Sequence, residues 1–232
     1  MKDMDSLLAQ VLAFRPNRLV PPFDLQGHIP FVAWLVKELQ PATFVQLGTQ
    51  SGNLYFAACQ TVAEHSLPTR CWAVGTWQAE ELAQRHSVQQ EPGASDYNRQ
   101  HFGAFSGLLR MGDAQALPRF APGSIDLLLI DGRYSPETVR NEYESWRDRL
   151  SDHAVVLLVG IEQADSGAAV LWQQLQSQYP HLAFAHAQGL GVLAVGRNVP
   201  KAFQQALQAC ATPEARNQLP RSEERRVGKE CR

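Results

Sequence analysis

Short apolar runs and amphipathic segments follow one another along the chain, and this alternation predicts strands and helices in turn. The predicted strands are residues 43–47, 70–74, 108–111, 124–130, 154–159, 182–186 and 191–195. The predicted helices are residues 31–39, 53–63, 78–89, 136–150, 168–178 and 201–209. The segment 91–103, rich in Gly, Asn and Gln, is predicted as a loop or a lid. The pattern therefore indicates strand–helix repeats that end in two adjacent strands.

Two of the predicted strands are almost continuously apolar, SIDLLLI at 124–130 and AVVLLV at 154–159. Strands of this kind are typical of parallel sheets that helices cover on both faces. Together with the strand–helix repeats, they predict an α/β fold with a doubly wound, mostly parallel sheet. Ligands of such sheets bind beyond the carboxyl ends of the strands, so the residues that follow each strand are the candidates for a site.

A glycine-bounded loop, GTQSG at residues 48–52, follows the first predicted strand and leads into a helix. Glycines at both ends allow a tight turn and let a ligand approach the helix N-terminus. The G-x-x-x-G spacing differs from the G-x-G-x-x-G dinucleotide fingerprint and from phosphate loops that end in Gly-Lys-Ser/Thr. By itself the loop fits an ordinary strand–helix turn as well as a ligand-binding turn.

Aspartates follow two further predicted strands, Asp113 after the third and Asp131 after the fourth. Asp131 ends a buried apolar run, where an ionised carboxylate is costly unless another group pairs with it. We therefore predict that Asp131 belongs to a site. Asp126 lies inside the same strand and could instead cap or face a helix.

Composition and charge limit the classes of partner. The chain has 232 residues, 44% hydrophobic and 19% charged, which excludes wholesale disorder and fits one α/β domain. The net charge of -2 gives no electrostatic argument for nucleic acid, so a small-molecule partner is favoured. No apolar run reaches the ~18 residues that a membrane helix needs. The four cysteines form no CxxC pair, and residues 1–10 lack the apolar core of a signal peptide, so a reducing cytoplasm is the expected location. The oligomeric state is not predicted.

The last twelve residues, RSEERRVGKECR at 221–232, differ in composition from the rest of the chain. They could form a solvated basic tail or an anchor for anionic surfaces. They also resemble the translation of a sequencing adapter, and on that interpretation they are a non-native tail that replaces residues beyond Pro220. Without them the chain has 16 basic and 20 acidic residues, a net charge of -4. The expected organisation is then an N-terminal extension (1–29), a domain (30–199), a C-terminal helix (200–220) and the tail.

Six segments in chain order resemble the successive motifs of class I S-adenosylmethionine (SAM)-dependent methyltransferases. They are FVQLGTQSG, AVGTWQ, LLRMGDAQAL, SIDLLLIDGRYSPETVRNEYESW, LSDHAVVLL and GLGVLAVG. The resemblance covers residues 30–196 and is nearest to a small bacterial branch linked to glycan and O-antigen gene neighbourhoods. It implies a Rossmann-like sheet of seven strands with the last strand antiparallel, and SAM as the cofactor.

The resemblance also implies roles for individual residues. The implied cofactor-binding residues are Gln46, Gly48, Thr49, Gly52, Gly75, Thr76, Asp113, Ala114 and Asp131. Gly48, Thr49 and Gly52 would contact the methionine and ribose parts, and Asp113 with Ala114 the adenine. Asp131 would be the catalytic residue beside the sulfonium, and Arg133 and Tyr134 would contact the substrate. Trp77 could cover the adenine or ribose, or be an ordinary half-buried aromatic residue.

This chain departs from the pattern of the family at several of those positions. Gln46 stands where an acidic residue is usual, and Gly75 where an acid would bind both ribose hydroxyls. Loss of that ribose carboxylate removes an interaction worth roughly 1.5–3 kcal/mol. Val159 and Gly160 replace a His–Asp pair, and Leu129 and Tyr134 replace two further histidines. We therefore expect no metal ion in the mechanism.

The remaining histidines give little support for another base or for a metal site. They are scattered, and no two have the spacing that a helical metal site needs. His101 in the predicted lid and His186 before a glycine-rich turn could approach an acceptor, although a lone histidine is more often structural.

Three hypotheses follow. The first is a metal-independent SAM-dependent methyltransferase that acts on a hydroxyl of a small molecule or sugar. The second is a degenerate module that binds SAM weakly or not at all and serves as a partner or regulatory protein. The third, a nicotinamide-dependent oxidoreductase, is disfavoured by the glycine spacing and by the absence of an acid after the second strand.

Overall fold

The computed structural model describes residues 11, 13–49, 51–76, 93–132 and 134–209. Its strands are β1 (Thr43–Leu47), β2 (Arg70–Val74), β3 (Ser106–Leu109), β4 (Ile125–Asp131), β5 (Leu150–Val159), β6 (His181–Phe184) and β7 (Leu190–Ala194). The α-helices of these residues are α1 (Ile29–Leu39), α2 (Asn53–Glu64), α3 (Ala94–His101), α4 (Asp113–Ala116), α5 (Pro136–Arg147), α6 (Gly167–Leu175) and α7 (Lys201–Ala209).

The strands form one seven-stranded sheet in the order β3-β2-β1-β4-β5-β7-β6. β1 pairs in parallel with β2 and with β4, and β4 pairs in parallel with β5. The last strand, β7, runs antiparallel to both β5 and β6. The predicted doubly wound, mostly parallel α/β fold with an antiparallel last strand is therefore confirmed.

Successive residues of the central strands point into two different apolar layers. Phe44 of β1 packs with α1, α2 and α7, whereas the next residue, Val45, belongs to the layer under α5 and α6. Trp146 and Trp172 lie in this second layer. The two-sided burial explains why β4 and β5 are nearly free of polar residues.

The predicted loop or lid at 91–103 is wrong for residues 94–101, which form α3. One polar side chain of this segment, Asn98, is buried and bonds to the sheet instead of to water. The Asn98 amide donates to the Ser106 carbonyl oxygen (3.2 Å), and the Ser106 hydroxyl donates back to Asn98 Oδ1 (2.5 Å). The polar composition of residues 91–103 therefore did not indicate α3, which packs on the beginning of β3.

Other boundaries differ from prediction at the ends of elements. β3 begins and ends two residues earlier than predicted. Gly107 pairs with Trp72 of β2, and the Trp72 ring lies against Gly107 so closely that a Cβ atom would not fit there. α5 ends at Arg147, and Leu150 already belongs to β5. The predicted helix at 78–89 and the tail lie outside the described residues.

Asp126 stabilises the edge of the sheet at which β1 begins. Its Oδ2 accepts a hydrogen bond from the backbone N–H of Ala42 (2.7 Å), and its Oδ1 accepts one from the Ser151 hydroxyl (2.6 Å). The side chain thus joins β4 to the start of β1 and to β5, neither capping nor facing a helix. Among the residues that the structure describes, no helix is long and apolar enough to span a membrane.

Candidate active site

The strand order places β1 beside β4, which is the switch point where the chain connections leave in opposite directions. A cleft of about 330 Å³, open to solvent, lies at the carboxyl ends of these strands. It is called the switch-point cleft below. Its lining residues are Asp24, Leu25, Gln46, Gly48, Ser51, Gly52, Asn53, Leu54, Leu129, Asp131 and Val159.

The glycine loop packs tightly against the end of β4. Gly48 has a φ of +73°, and a Cβ placed on it would lie 2.9 Å from Asp131 Cβ. Gly52 has a φ of +75°, and a Cβ there would lie 2.9 Å from the Phe56 ring. Both positions require glycine, for their backbone conformation and for the close approach.

Gln46 places a polar atom in this cleft without satisfying it. The side chain is 5% exposed, and its Oε1 has no hydrogen-bond partner within the described part of the chain. The Oγ1 of Thr49, also buried, has none either. Buried polar atoms are usually paired, so Gln46 Oε1, which lines the cleft, marks a place where a ligand with donor groups fits.

Asp131 occupies the apolar end of the same cleft. It is 3% exposed, and its neighbour across the β4–β5 pairing is Val159. Leu129, two residues earlier on the same face of β4, also lines the cleft. Asp131 is thus buried beside Leu129 and Val159 at the carboxyl end of β4.

A pair of carboxyl groups, those of Asp113 and Glu142, lies near Asp131. The carboxyl groups of Glu142 on α5 and Asp113 at the start of α4 are close enough to influence each other's pKa. Burial raises the pKa of Glu142 to about 8, and the negative charges of Asp113 and Asp131 add to this shift. Burial also raises the pKa of Asp113, while a hydrogen bond with Glu142 opposes the rise. The pair therefore holds about one proton near neutral pH.

Residues 18–28, called the N-terminal strap below, form part of the cleft although they precede the first strand. Asp24 and Leu25 belong to the lining. Asn53 at the start of α2 fixes the strap by accepting from the Val20 N–H (3.1 Å) and donating to the Val20 carbonyl oxygen (2.7 Å). Arg18 donates to the Ser51 carbonyl oxygen (2.7 Å) and lies over the Phe56 ring.

The structure brings some of the sequence-predicted site residues together and leaves others apart. Gln46, Gly48, Gly52 and Asp131 line one cleft, which Tyr134 flanks near Gly48 with 48% of its surface exposed. Five others lie outside its lining: Thr49, directly after Gly48, and Gly75, Thr76, Asp113 and Ala114 at the ends of the neighbouring strands. His101 and His186 do not line the cleft either. Trp77 and Arg133 lie outside the described residues.

Sequence reasoning missed Asp24, Leu25, Asn53 and Glu142. Asn53 had a usable signal, because an Asn at a helix start after a glycine turn often bonds to nearby backbone. Glu142 carries no such signal, since it is one of several acidic residues on a polar helix. Among the described residues, no group of three or more His, Cys, Asp or Glu side chains is arranged to hold a metal ion.

Comparison with known proteins matches the central part of the chain to a family. Residues 45–158 match the model of a family described as a methyltransferase domain. A protein of Sinorhizobium fredii (strain NBRC 101917 / NGR234), uncharacterized protein y4gI, is 36% identical over 197 residues, which are 84% of this chain. The chain spans 22% of the length of that relative.

Solved structures share the fold at low sequence identity. They include a methyltransferase from Geobacter sulfurreducens (15% identity), SAH-bound PaMTH1 from Podospora anserina (11%) and the O-methyltransferase TomG from Streptomyces achromogenes in complex with SAM (13%). Each has a TM-score of 0.54. They cover 82%, 83% and 84% of this chain, and 86%, 87% and 90% of their own chains, respectively. Residues 45–158 are therefore similar to a methyltransferase domain, and the solved structures share the fold of this chain.

Proposed function

We propose that this chain transfers a methyl group from SAM to a hydroxyl group of a small molecule or sugar, with Asp131 as the catalytic residue and without a metal ion. The observation that carries the proposal is the contact between the Gly48 turn and Asp131 in a cleft that also contains the unpartnered Gln46 Oε1. The residues proposed to bind SAM and the residue proposed to receive the proton of the acceptor thus lie together at the switch point of the sheet.

The residues present fit the amino-acid end of SAM. Gln46 Oε1 is an acceptor for an ammonium group, and backbone N–H groups at the start of α2 favour a carboxylate. Gly48 and Gly52 leave room for the cofactor because neither has a side chain. Gly75, Thr76, Asp113 and Ala114 follow the neighbouring strands and extend the same sheet edge toward the nucleoside end.

The proposed reaction requires few chemical groups from the protein. When bound, SAM supplies an electrophilic methyl group on its sulfonium, and the methyl carbon exchanges its bond to sulfur for a bond to the acceptor oxygen. Asp131 accepts the hydroxyl proton, and its aliphatic neighbours Leu129 and Val159 exclude water from the reacting atoms. The products are a methyl ether, S-adenosylhomocysteine (SAH) and a proton.

Metal independence is supported by what lies beside Asp131. Its partner on β5 is Val159, and the next residue is Gly160, so neither of these two positions supplies a side-chain ligand. Divalent cations need several oxygen ligands from the protein or from water. The residues around Asp131 are better suited to holding a neutral hydroxyl group.

The remaining expectations form part of the same proposal. The acceptor is a small molecule or a sugar rather than a nucleic acid, and the reaction takes place in the cytoplasm. The free, buried thiols of Cys59 and Cys71 suit a reducing compartment. Tyr134 and Arg133 are the proposed acceptor-contacting residues.

The first test is calorimetric titration of the chain with SAH. Micromolar binding supports the proposal, whereas no heat at millimolar SAH contradicts it and favours the degenerate, non-catalytic module. Asp131→Asn should retain SAH binding within about threefold and lose methyl transfer by about a hundredfold or more, measured as SAH release with panels of catechols and sugars. Asp152→Asn, at an exposed aspartate, is the matched control. Equal rates for Asp131→Asn and the unmodified chain would exclude Asp131 as the base.

A further inference from the structure

The N-terminal strap is held at both ends, and its middle supplies Asp24 and Leu25 to the switch-point cleft. One end is fixed to the start of α2 through Arg18 and Asn53. The other end meets the loop that follows β6, at residues 185–189. This strap lies before the segment that matches the methyltransferase family, so the family likeness assigns it no role.

Two histidines join the strap to that loop in a reciprocal arrangement. His28 Nε2 lies 3.1 Å from the Ala187 carbonyl oxygen, and His186 Nε2 lies 3.2 Å from the Gly27 carbonyl oxygen. Since carbonyl oxygens only accept, both rings donate through Nε2. The ring centroids are 4.5 Å apart, and the two residues are 0% and 9% exposed.

Further contacts on either side of the histidine pair restrict the strap and the loop that follows β6. A Cβ placed on Gly27 would lie 2.8 Å from His186 Cδ2, so the strap backbone rests directly on the ring. Gln188 Nε2 donates to Asp24 Oδ2 at 3.0 Å. Asp24, which lines the cleft, and His28, which holds the strap, therefore bond to the same short loop at residues 185–189.

The loop itself has an unfavourable backbone conformation at the points that bind the strap. Ala187 has a φ of 47° and Gln188 a φ of 70°, values that residues with side chains rarely adopt. Such strain persists only where surrounding contacts hold it, and it concentrates at functional sites. Here the strained residues are the ones that bond to His28 and Asp24.

We propose that His28 and His186 are positioning residues for methyl transfer, which together hold the N-terminal strap so that Asp24 and Leu25 form one wall of the switch-point cleft. The inference rests on the proposed function for its consequence, since a loose strap would weaken cofactor binding. The geometry of the strap itself can be tested without any ligand.

The pair holds the strap best when both rings are neutral. Burial lowers the pKa of His28 to about 3, and the neighbouring His186 ring lowers it further while hydrogen bonds to backbone oppose the shift. The described ionisable groups around the pair are Asp24 on the strap and Glu162, which packs against Gly189. Asp24 is already bonded to Gln188.

Acid should therefore open the strap. Above the usual histidine pKa of 6.5 both the closed and the open strap hold neutral histidines, and pH has no effect. Below it, an exposed His28 takes up a proton that the buried ring does not. The opening constant should then rise about tenfold between pH 7.5 and pH 5.5 from His28 alone, and further if His186 takes up a second proton.

The test is hydrogen–deuterium exchange of the full chain without cofactor. The reporting amides are those of Gln26 and His28, which donate within the strap. In the unmodified chain their protection should fall at least tenfold from pH 7.5 to pH 5.5 after correction for intrinsic exchange, and SAH affinity should fall with it. His186→Gln, which keeps a donor at this position, should retain protection at pH 7.5 and still show the fall in acid, because His28 is unchanged.

Three further variants complete the test. His186→Leu should lose strap protection at both pH values and bind SAH more weakly. Gly27→Ala should do the same with both histidines present, which covers the case in which His186→Leu does not fold. His153→Gln, at an exposed histidine, should behave as the unmodified chain.

Unchanged or increased strap protection in acid would overturn the proposal, and so would full protection in His186→Leu and Gly27→Ala. Failure of SAH to bind the unmodified chain at pH 7.5 contradicts the proposed function instead, since the exchange measurement needs no cofactor.

Discussion

Gly48 and Asp131 are in direct contact across the switch point: a Cβ atom on Gly48 would lie 2.9 Å from Asp131 Cβ and 3.5 Å from the Tyr134 ring. Gly48 follows β1 and Asp131 ends β4, and the two strands pair in register up to Leu47 and Ile130. The turn that would receive the cofactor and the carboxylate that would receive the proton are therefore one packed unit.

Gly48→Ala should weaken SAH binding by more than tenfold and lower the free energy of unfolding by about 1–3 kcal/mol. The added methyl group must displace Asp131 or the turn, and the positive φ adds backbone strain. Calorimetry with SAH and urea unfolding measure the two effects.

Gly123→Ala is the matched control for this substitution. Gly123 has a similar φ of +67°, but nothing lies within 4 Å of a Cβ placed there. It should lose about 1 kcal/mol of stability through strain alone and bind SAH normally. Equal losses of SAH affinity in both variants would show that the contact with Asp131 is irrelevant to binding.

Gln46→Leu should change stability and cofactor binding in opposite directions. Removing the unpartnered Oε1 should raise the free energy of unfolding by about 1 kcal/mol, because a buried acceptor without a donor is costly. Loss of its hydrogen bond to a charged ammonium should weaken SAH binding about ten- to a hundredfold. Parallel losses of stability and affinity would instead assign Gln46 a structural role.

Glu142→Gln should stabilise the protein with a dependence on pH. The pKa of Glu142 is raised from 4.5 to about 8, so between these values the folded chain keeps a proton that the unfolded chain releases. Stability of the unmodified chain therefore falls as pH rises through this window, and glutamine removes that contribution.

The gain should be absent at pH 4.5 and reach on the order of 1 kcal/mol at pH 8, since partial exposure to solvent reduces it. Thermal unfolding across this pH range measures it. Glu144→Gln, at an exposed residue of the same helix, is the control. A gain that is equal at pH 4.5 and pH 8 would contradict the shifted pKa.

Asp126→Ala should destabilise the fold without affecting the site. The substitution leaves the Ala42 N–H and the Ser151 hydroxyl without their acceptor, at a cost of about 2–3 kcal/mol. These bonds lie at the edge of the sheet opposite to Asp131, so SAH affinity should stay within twofold. Urea unfolding and SAH calorimetry on one preparation test both statements, and a large loss of affinity would contradict the second.

The sequence by itself determined the order of the seven strands and of five of the described helices, because the periods of two and 3.6 residues are local properties. β1, β2 and α7 have the predicted bounds. The G-x-x-x-G turn and Asp131 were also visible, because residues at the ends of parallel strands converge on one edge.

The polar pattern gave a wrong or missing prediction where a polar side chain interacts with a residue of a distant element. Asn98 and Ser106 satisfy each other, and this allowed a helix where the composition favoured a loop. Glu142 carries no local sign of its raised pKa, which arises from burial and from Asp113 and Asp131 on other elements.

Only the tertiary structure decided what completes the cleft. His28 and His186 lie 158 positions apart in the sequence, and their rings meet because α1 and the loop after β6 pack at the same end of the sheet. The same packing carries Asp24 and Leu25 to the cleft from a segment with no motif of its own. Local periodicity fixes which face of an element is buried, whereas contacts between distant segments depend on how all the faces close around one core.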